Sequence, residues 1–143
     1  EYNINPDNIV FELFINEDIP EDVLAKGISY LRKRGLHVCW DQFGTNACDL
    51  KNFMEMPFDC VKINNMVVSM YCNEKSTQLI YIIRMFRERG WIVCLDGVRY
   101  PDGFEMVKKM DVDYIQGREL MKFVPEDKIR EFLLKKGGIL GDI

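Results

Sequence analysis

The chain alternates short runs of apolar, β-forming residues with longer segments in which apolar residues recur every three or four positions. The short runs predict five strands. They lie at residues 9–14, 37–41, 60–63, 91–95 and 112–115. Because strands that alternate with helices pair in parallel through right-handed crossovers, the pattern predicts an α/β fold with a parallel sheet.

The longer segments predict the helices that connect these strands. The first begins at Pro20 and stops at Gly35, and a strong helix at residues 77–89 ends before Gly90. Their apolar faces are expected to contribute to the core Val23, Leu24, Ile28 and Leu31 from the first helix and Leu79, Ile80, Ile83 and Phe86 from the second. Further helices are predicted at residues 49–54, 104–110 and 125–134, with a tail from Lys136.

A helix end, a glycine stop, an apolar strand and a terminal aspartate occur twice in the same order. Residues 32–41 read RKRGLHVCWD and residues 87–96 read RERGWIVCLD. The repeat places Asp41 and Asp96 at equivalent sites, at the C-terminal ends of two predicted strands. In a parallel α/β barrel, that end of the strands carries the active site.

Polar side chains collect at the predicted strand ends. They are Glu12, Asp41, Gln42, Lys62, Asn64, Asp96, Arg99 and Gln116. A charged residue inside an apolar strand is costly unless it meets partners or solvent. Because carboxylates suit a divalent metal and lysine can orient water or a phosphate oxygen, this edge is a candidate metal and phosphate site. The alternative is that these side chains only line a rim and cap helices.

Composition narrows the possible partners. The 143 residues carry a net charge of -4, whereas nucleic-acid surfaces show a basic stripe, so no nucleic acid is expected. No apolar run is long enough to span a membrane, and the polar N-terminus lacks the basic-then-apolar layout of a signal peptide. The missing initiator Met suggests a fragment. Five unclustered cysteines and a single histidine argue against a zinc site and favour a reducing, cytoplasmic setting.

Five segments, taken in order, resemble the motifs of one family. WDQFGT is similar to DDFGTG, MPFDCVKIN to LPVDxxKID, and LDGVR to AEGVE. DVDYIQGREL resembles the CDxxQGY segment, and NPDNIVFELFINE resembles the run that contains ExTE. These are motifs of EAL domains, the cyclic di-GMP phosphodiesterases, and the resemblance extends from near residue 5 to near residue 130.

The resemblance implies a TIM-like (β/α) barrel, of which this chain supplies about five parallel strands, the fourth to the eighth. Active members use two divalent metals, Mg²⁺ or Mn²⁺, to activate water against cyclic di-GMP and release linear pGpG. The first three strands, with the Glu of the EAL signature and an Asn ligand, have no counterpart here. Residues 1–143 are therefore expected to form a truncated, degenerate EAL-like domain.

The resemblance also carries family roles over to five positions. Glu12, Asp41 and Asp96 match metal ligands, although Asp96 is one methylene shorter than the family's Glu. Lys62 matches the catalytic lysine that positions the attacking water, and Gln116 matches the glutamine at the rim of the site. The catalytic and metal roles are expected to be vestigial in this chain.

Four positions depart from the motifs. Ile15 replaces the second Glu of ExTE, Gln42 the second Asp of DDFG, Asn64 the Asp of KID and Arg99 the second Glu of AEGVE. Two neighbouring divalent cations need anionic ligands to offset their mutual repulsion, and neutral amides do not supply that charge. Gln42, Asn64 and Arg99 are instead candidate ligand-binding residues, together with Gln116.

The expected function is a non-catalytic regulatory or protein-interaction module in cyclic di-GMP signalling, with no cofactor. Two alternatives stay open. One is a receptor that binds cyclic di-GMP without hydrolysis, through Lys62 and Arg99; the other is a weak phosphodiesterase that uses Mg²⁺ or Mn²⁺. Since five strands cannot close an eight-stranded barrel, the bare sheet edges are expected to be covered by a second copy, a protein partner, the tail from Lys136 or a missing N-terminal segment.

Overall fold

A parallel sheet runs through the computed structural model of the chain. The structure describes residues 4–15, 19–45, 50–99 and 101–117, with positions 120, 125, 127 and 128. These residues form a five-stranded sheet in which each strand pairs in parallel with the next along the chain. Its strands are β1 (Val10–Phe14), β2 (His37–Phe43), β3 (Cys60–Ile63), β4 (Ile92–Leu95) and β5 (Tyr114–Ile115). The predicted α/β fold with five parallel strands is confirmed.

Helices connect consecutive strands. They are α1 (Glu21–Arg32), α2 (Leu50–Glu55), α3 (Asn65–Glu74), α4 (Gln78–Glu88) and α5 (Asp102–Val107), after a 3₁₀ turn at Pro6–Asn8. The sequence pattern does not predict α3, because its apolar side chains do not gather on one face; Val68 is the one that is fully enclosed among the described residues of this helix. The predicted helix at residues 125–134 and the tail from Lys136 lie almost wholly outside the described residues.

One face of the sheet packs against the helices. Alternation along the central strands gives this face six buried side chains, Val38, Trp40, Val61, Ile63, Val93 and Leu95. The helices cover them with Leu24 and Ile28 of α1 and with Leu79, Ile83 and Phe86 of α4. Val23 and Ile80 were expected in the same core but are 54% and 47% exposed. Each is next to a buried residue in sequence, and one step along a helix turns the side chain by about 100°.

The internal repeat has the same anchor in both copies. Asp59 accepts a hydrogen bond at 2.9 Å from the backbone N–H of the second residue of β2, and its other oxygen lies 3.1 Å from Arg32 at the end of α1. Asp113 accepts the equivalent bond from the second residue of β4 at 2.7 Å and pairs with Arg87 of α4 at 2.8 Å. Each aspartate therefore fastens the end of a helix to the start of the strand that follows.

The opposite face of the sheet, here called the polar face, carries Glu12, Cys39, Asp41, Cys60, Lys62 and Cys94. Val10, Phe14, Ile92 and Tyr114 share this face and are between 38% and 58% exposed. Within the described sheet, β1 pairs only with β2 and β5 only with β4. Among the described residues, the architecture is that of a partial barrel whose sheet has two open edges. None of the described helices is long and apolar enough to cross a membrane.

Candidate functional site

The C-terminal ends of the parallel strands meet at one end of the polar face. Glu12 lies in β1, Asp41 in β2 and Lys62 in β3, while Asp96 directly follows β4. Because the strands are parallel and paired in register, these four charged side chains emerge close together. They are here called the rim cluster. The structure thus brings together the four residues that the sequence nominated as three metal ligands and a lysine.

Lys62 is at the centre of the rim cluster. Its side chain is 9% exposed, and its ammonium donates to both carboxylate oxygens of Glu12, Oε1 at 3.1 Å and Oε2 at 2.9 Å. Asp41 Oδ1 lies 4.0 Å from the same nitrogen. A buried ammonium needs such partners, because removing it from water without them would be costly. The Glu12 carboxylate is therefore already engaged by a cation.

The pKa of Lys62 reflects two opposed effects. Burial disfavours the ammonium and lowers the pKa, but the hydrogen bond with Glu12 and the charges of Glu12, Asp41 and Asp96 raise it by more. The net result is a pKa above the ordinary value of a lysine. Lys62 is therefore a cation at neutral pH and acts as a hydrogen-bond donor rather than as a base.

Gln42 joins the strand ends through its amide. Its backbone has a φ of 59°, in the left-handed region that residues other than Gly, Asn and Asp seldom adopt. The amide nitrogen points to two carboxylates, Asp41 Oδ1 at 3.5 Å and Asp96 Oδ2 at 3.4 Å, which are long hydrogen bonds. Since an amide N–H is a donor only, Gln42 satisfies these carboxylates without adding charge.

Asn64 continues this chain of amides into α3. It is 7% exposed, and its Oδ1 caps α3 by accepting a hydrogen bond from the backbone N–H of Met66 at 2.7 Å. Its amide nitrogen donates to Oε1 of Gln42. Each donor in this chain therefore meets an acceptor: the backbone N–H of Met66 donates to Asn64, the amide of Asn64 donates to Gln42, and the amide of Gln42 donates to Asp96.

Three thiols lie beneath the rim cluster on the polar face. Cys39 and Cys60 are buried and Cys94 is half-buried, and all three are free. The hydrogen bond with Cys60, and then burial, raise the pKa of Cys39. Burial raises the pKa of Cys94 to about 11. Each of these thiols precedes a charged residue of the rim cluster by two positions in the sequence, a spacing that puts both side chains on the same face of a strand.

Gln116 and Arg99, two further candidate residues from the sequence, are both exposed. Gln116 follows β5; its backbone is held by Leu95 at 2.8 Å and by Val98 at 3.0 Å, but its side chain is exposed. Arg99 is exposed and lines a pocket of about 290 Å³ between α3 and α5, with Cys72 and other residues of these helices. Lys62 does not line this pocket. The two cations proposed from sequence to share a phosphate are thus in different surroundings.

A sequence profile of the EAL domain matches residues 1–122. The chain belongs to the EAL domain family. A curated relative is the oxygen sensor protein DosP of Escherichia coli K12, which is 27% identical over 108 residues. That match covers 74% of this chain and 14% of DosP, so the chain corresponds to a small part of this relative.

Solved EAL structures have the same fold. The PaMucR phosphodiesterase in a c-di-GMP complex matches with a TM-score of 0.76 at 17% identity, covering 87% of this chain and 51% of that one. BlrP1 of Klebsiella pneumoniae, in a manganese and cyclic di-GMP complex, matches with a TM-score of 0.70 at 20% identity, covering 80% and 30%. Because the chain spans about half or less of these proteins, it corresponds to a partial EAL barrel.

The rim cluster does not fit the two-metal centre that the EAL motifs imply. The Glu12 carboxylate holds the Lys62 ammonium, and the carboxylates of Asp41 and Asp96 face the amide nitrogen of Gln42. Within the part of the chain that the structure describes, no group of three or more His, Cys, Asp or Glu side chains is placed to hold a metal ion. Glu12, Asp41 and Asp96 meet around a lysine and an amide instead.

Proposed function

We propose that this EAL domain is a non-catalytic regulatory or protein-interaction module in cyclic di-GMP signalling. The observation that supports this most is the contact of Lys62 with Glu12, at 2.9 and 3.1 Å. A lysine held by a carboxylate is less available to orient an attacking water, and the same carboxylate is less available to a metal. The domain keeps the EAL scaffold, but two side chains at the positions that serve hydrolysis in the family, Lys62 and Glu12, are bonded to each other.

The departures from the EAL motifs support the same proposal. Gln42 and Asn64 put neutral amides where the family has carboxylates, and both take part in a hydrogen-bonded chain. Ile15, in place of the second Glu of ExTE, is 8% exposed and belongs to the hydrophobic core. A second divalent cation would therefore lack the negative charge that keeps two cations close together.

Hydrolysis measurements test the proposal. Purified protein is incubated with cyclic di-GMP and Mg²⁺ or Mn²⁺, and the nucleotides are separated by chromatography, with the PaMucR phosphodiesterase as the positive control. We expect cyclic di-GMP to be recovered intact and no pGpG to form. Product that disappears in Lys62→Ala would overturn the proposal and establish a weak phosphodiesterase, which is metal-dependent if product also disappears when the metal is omitted. Product that Lys62→Ala leaves unchanged comes from a contaminant.

A receptor that binds cyclic di-GMP without cutting it is the second candidate. Its supporting observation is Arg99, an exposed guanidinium in a pocket that could meet a phosphate. Against it, the rim cluster sets three carboxylates against the single ammonium of Lys62, a charge balance that repels an anionic nucleotide. Calorimetric titration of cyclic di-GMP, with and without Mg²⁺ or Mn²⁺, tests the receptor function. Binding that is lost in Arg99→Glu would favour a receptor.

The proposed partner is a protein, either a second copy of this chain or another protein that covers the open edges of the sheet. The exposed apolar side chains of the polar face, such as Phe14 and Tyr114, support this proposal. The proposed location is the cytoplasm, because Cys39 and Cys60 are neighbouring free thiols that a reducing compartment would keep reduced. The proposed domain comprises residues 1–143.

A further inference from the structure

We propose that Lys62 and Gln42 together replace the metal centre of this EAL domain with an internal cation and an amide bridge, and that residue 42 decides whether the rim cluster takes up a divalent cation. This inference rests on the proposed non-catalytic function and attributes the absence of catalysis to two side chains, Lys62 and Gln42. It also goes beyond that function, because it concerns what the site binds rather than whether the site hydrolyses.

Lys62 occupies the rim cluster as its cation. The ammonium is buried, contacts both oxygens of Glu12 and lies 4.0 Å from Asp41. A divalent cation bound by the same two carboxylates would lie within a few ångströms of this positive charge. This repulsion between like charges lowers the affinity of the rim cluster for a divalent cation. Lys62 therefore supplies charge compensation; since the EAL motifs combine the equivalent lysine with two metals, it is residue 42 that decides whether a metal is also bound.

The amides block the remaining ligand atoms. A metal binds an amide through its oxygen, and the oxygens of Gln42 and Asn64 each already accept a hydrogen bond. The backbone N–H of Met66 fixes the orientation of Asn64, which in turn fixes that of Gln42, so that the nitrogen of Gln42 faces Asp41 and Asp96. A nitrogen that carries its protons cannot ligate a metal, and this one stands between the two carboxylates.

The backbone at position 42 makes a clean substitution possible. The φ of 59° is tolerated by Asp and Asn more readily than by Gln, so Gln42→Asp does not introduce backbone strain. Gln42→Glu keeps the length and shape of the side chain and exchanges the donor nitrogen for a charged oxygen. Gln42→Met keeps the approximate length, removes the amide and adds no charge, which makes it the matched control.

The experiment measures binding of Mn²⁺ alone to the whole chain, by the paramagnetic resonance signal of the free ion, and thermal unfolding with and without Mn²⁺. The wild type and Gln42→Met are expected to show no saturable uptake at millimolar Mn²⁺ and no change in unfolding temperature. Gln42→Glu and Gln42→Asp are expected to bind at least about tenfold more tightly than the wild type, with an unfolding temperature that Mn²⁺ raises.

Two results would overturn the inference. One is saturable Mn²⁺ binding by the wild type with the same affinity as Gln42→Glu, a result that does not depend on whether any variant folds. The other is the absence of Mn²⁺ binding in both acidic variants, which would show that residue 42 does not decide uptake. Using two acidic variants keeps the second result informative if one of them is unstable without metal.

The outcomes separate this inference from the proposed function. If the wild type binds Mn²⁺ as tightly as Gln42→Glu and leaves cyclic di-GMP intact, the inference fails and the non-catalytic function stands. If the wild type hydrolyses cyclic di-GMP in a Lys62-dependent way without taking up Mn²⁺, the proposed function fails and metal exclusion stands. Hydrolysis together with Mn²⁺ uptake would remove both.

Discussion

At the scale of single residues, Lys62 is the side chain on which the rim cluster depends. It is a buried cation in contact with one carboxylate and near two others, and those charges keep its pKa above the ordinary value of a lysine. Without it, Glu12, Asp41 and Asp96 would share one end of the sheet with no positive charge among them. The same residue therefore supports stability and limits the chemistry of the site.

Lys62→Met tests this role. The variant keeps the apolar stem but removes the ammonium, so the three carboxylates repel one another, and we expect a loss of about 2 kcal/mol in the free energy of unfolding, measured with urea. Lys26→Met is the control, because the Lys26–Asp22 pair is exposed and such pairs contribute about 0–1 kcal/mol. Adding Glu12→Gln to Lys62→Met should recover part of the loss. Equal effects of Lys62→Met and Lys26→Met would contradict the role.

At the scale of elements, the two copies of the repeat depend on aspartates that join a helix end to a strand start. The side chain of Asp113 is 30% exposed and binds both a β4 backbone N–H and Arg87, whereas the side chain of Asp111 is 77% exposed and meets only the same arginine among its described contacts. Asp113 therefore satisfies a backbone donor that would otherwise be left unpaired near the core.

Asp113→Ala is expected to lower the free energy of unfolding by about 1–2 kcal/mol, because it leaves the β4 N–H without its acceptor. Asp111→Ala, which removes only an exposed charge, should change it by less than about 0.5 kcal/mol. Chemical unfolding of both variants under one set of conditions gives the comparison. A larger loss in Asp111→Ala would mean that the arginine, and not the backbone bond, carries the stabilisation.

The turn after β5 depends on a glycine for a different reason. A Cβ added at Gly117 would lie 2.1 Å from the backbone oxygen of Val98, an atom that cannot move away as a side chain would. A Cβ added at Gly27 in α1 would meet nothing within 4 Å. The two glycines therefore offer a matched pair in which the same change has opposite effects.

Gly117→Ala is expected to destabilise the protein by about 2 kcal/mol or more, because the β4–β5 pairing must shift to make room. Gly27→Ala is expected to stabilise it by about 0.5–1 kcal/mol, since alanine is the better helix former. Thermal unfolding of each variant measures the difference. If Gly117→Ala were neutral, the close approach to Val98 would be easily relaxed.

At the scale of the whole molecule, the main feature is the polar face of the sheet, which carries exposed apolar side chains. Phe14 and other apolar side chains on it are exposed, and β1 and β5 each have one edge without a partner in the described sheet. Exposed edges of this kind bind other chains by strand pairing, and exposed apolar side chains add to the attraction. The surface is suited to a second copy or to a protein partner.

Phe14→Lys tests self-association through this face. We expect the wild type to show concentration-dependent association in sedimentation velocity, and Phe14→Lys to reduce it, because a charge on the contact face opposes close approach. Tyr81→Lys is the control: Tyr81 is 67% exposed but lies on α4, on the helix side of the sheet. A wild type that stays monomeric at all concentrations, or equal effects of the two substitutions, would exclude this mode of assembly.

The sequence alone determined the class of fold and the gathering of charge at the strand ends. The five strands and their parallel order follow from apolar periodicity, and the repeat that ends in Asp41 and Asp96 already puts both at one end of the sheet. These are local properties, because strand direction and side-chain alternation depend on neighbours along the chain. The EAL motifs were recognisable for the same reason, since each lies within one continuous segment.

Only the tertiary structure decided which groups the charges meet. Lys62 and Glu12 are 50 positions apart, and Gln42 and Asp96 are 54 apart. Their contacts depend on strand register and on side-chain direction, and no local pattern encodes either. The left-handed backbone of Gln42 and the position of Arg99 in a pocket between α3 and α5 could not be inferred from residue types either. The charges were therefore visible in the sequence, whereas their pairing was a property of the folded chain.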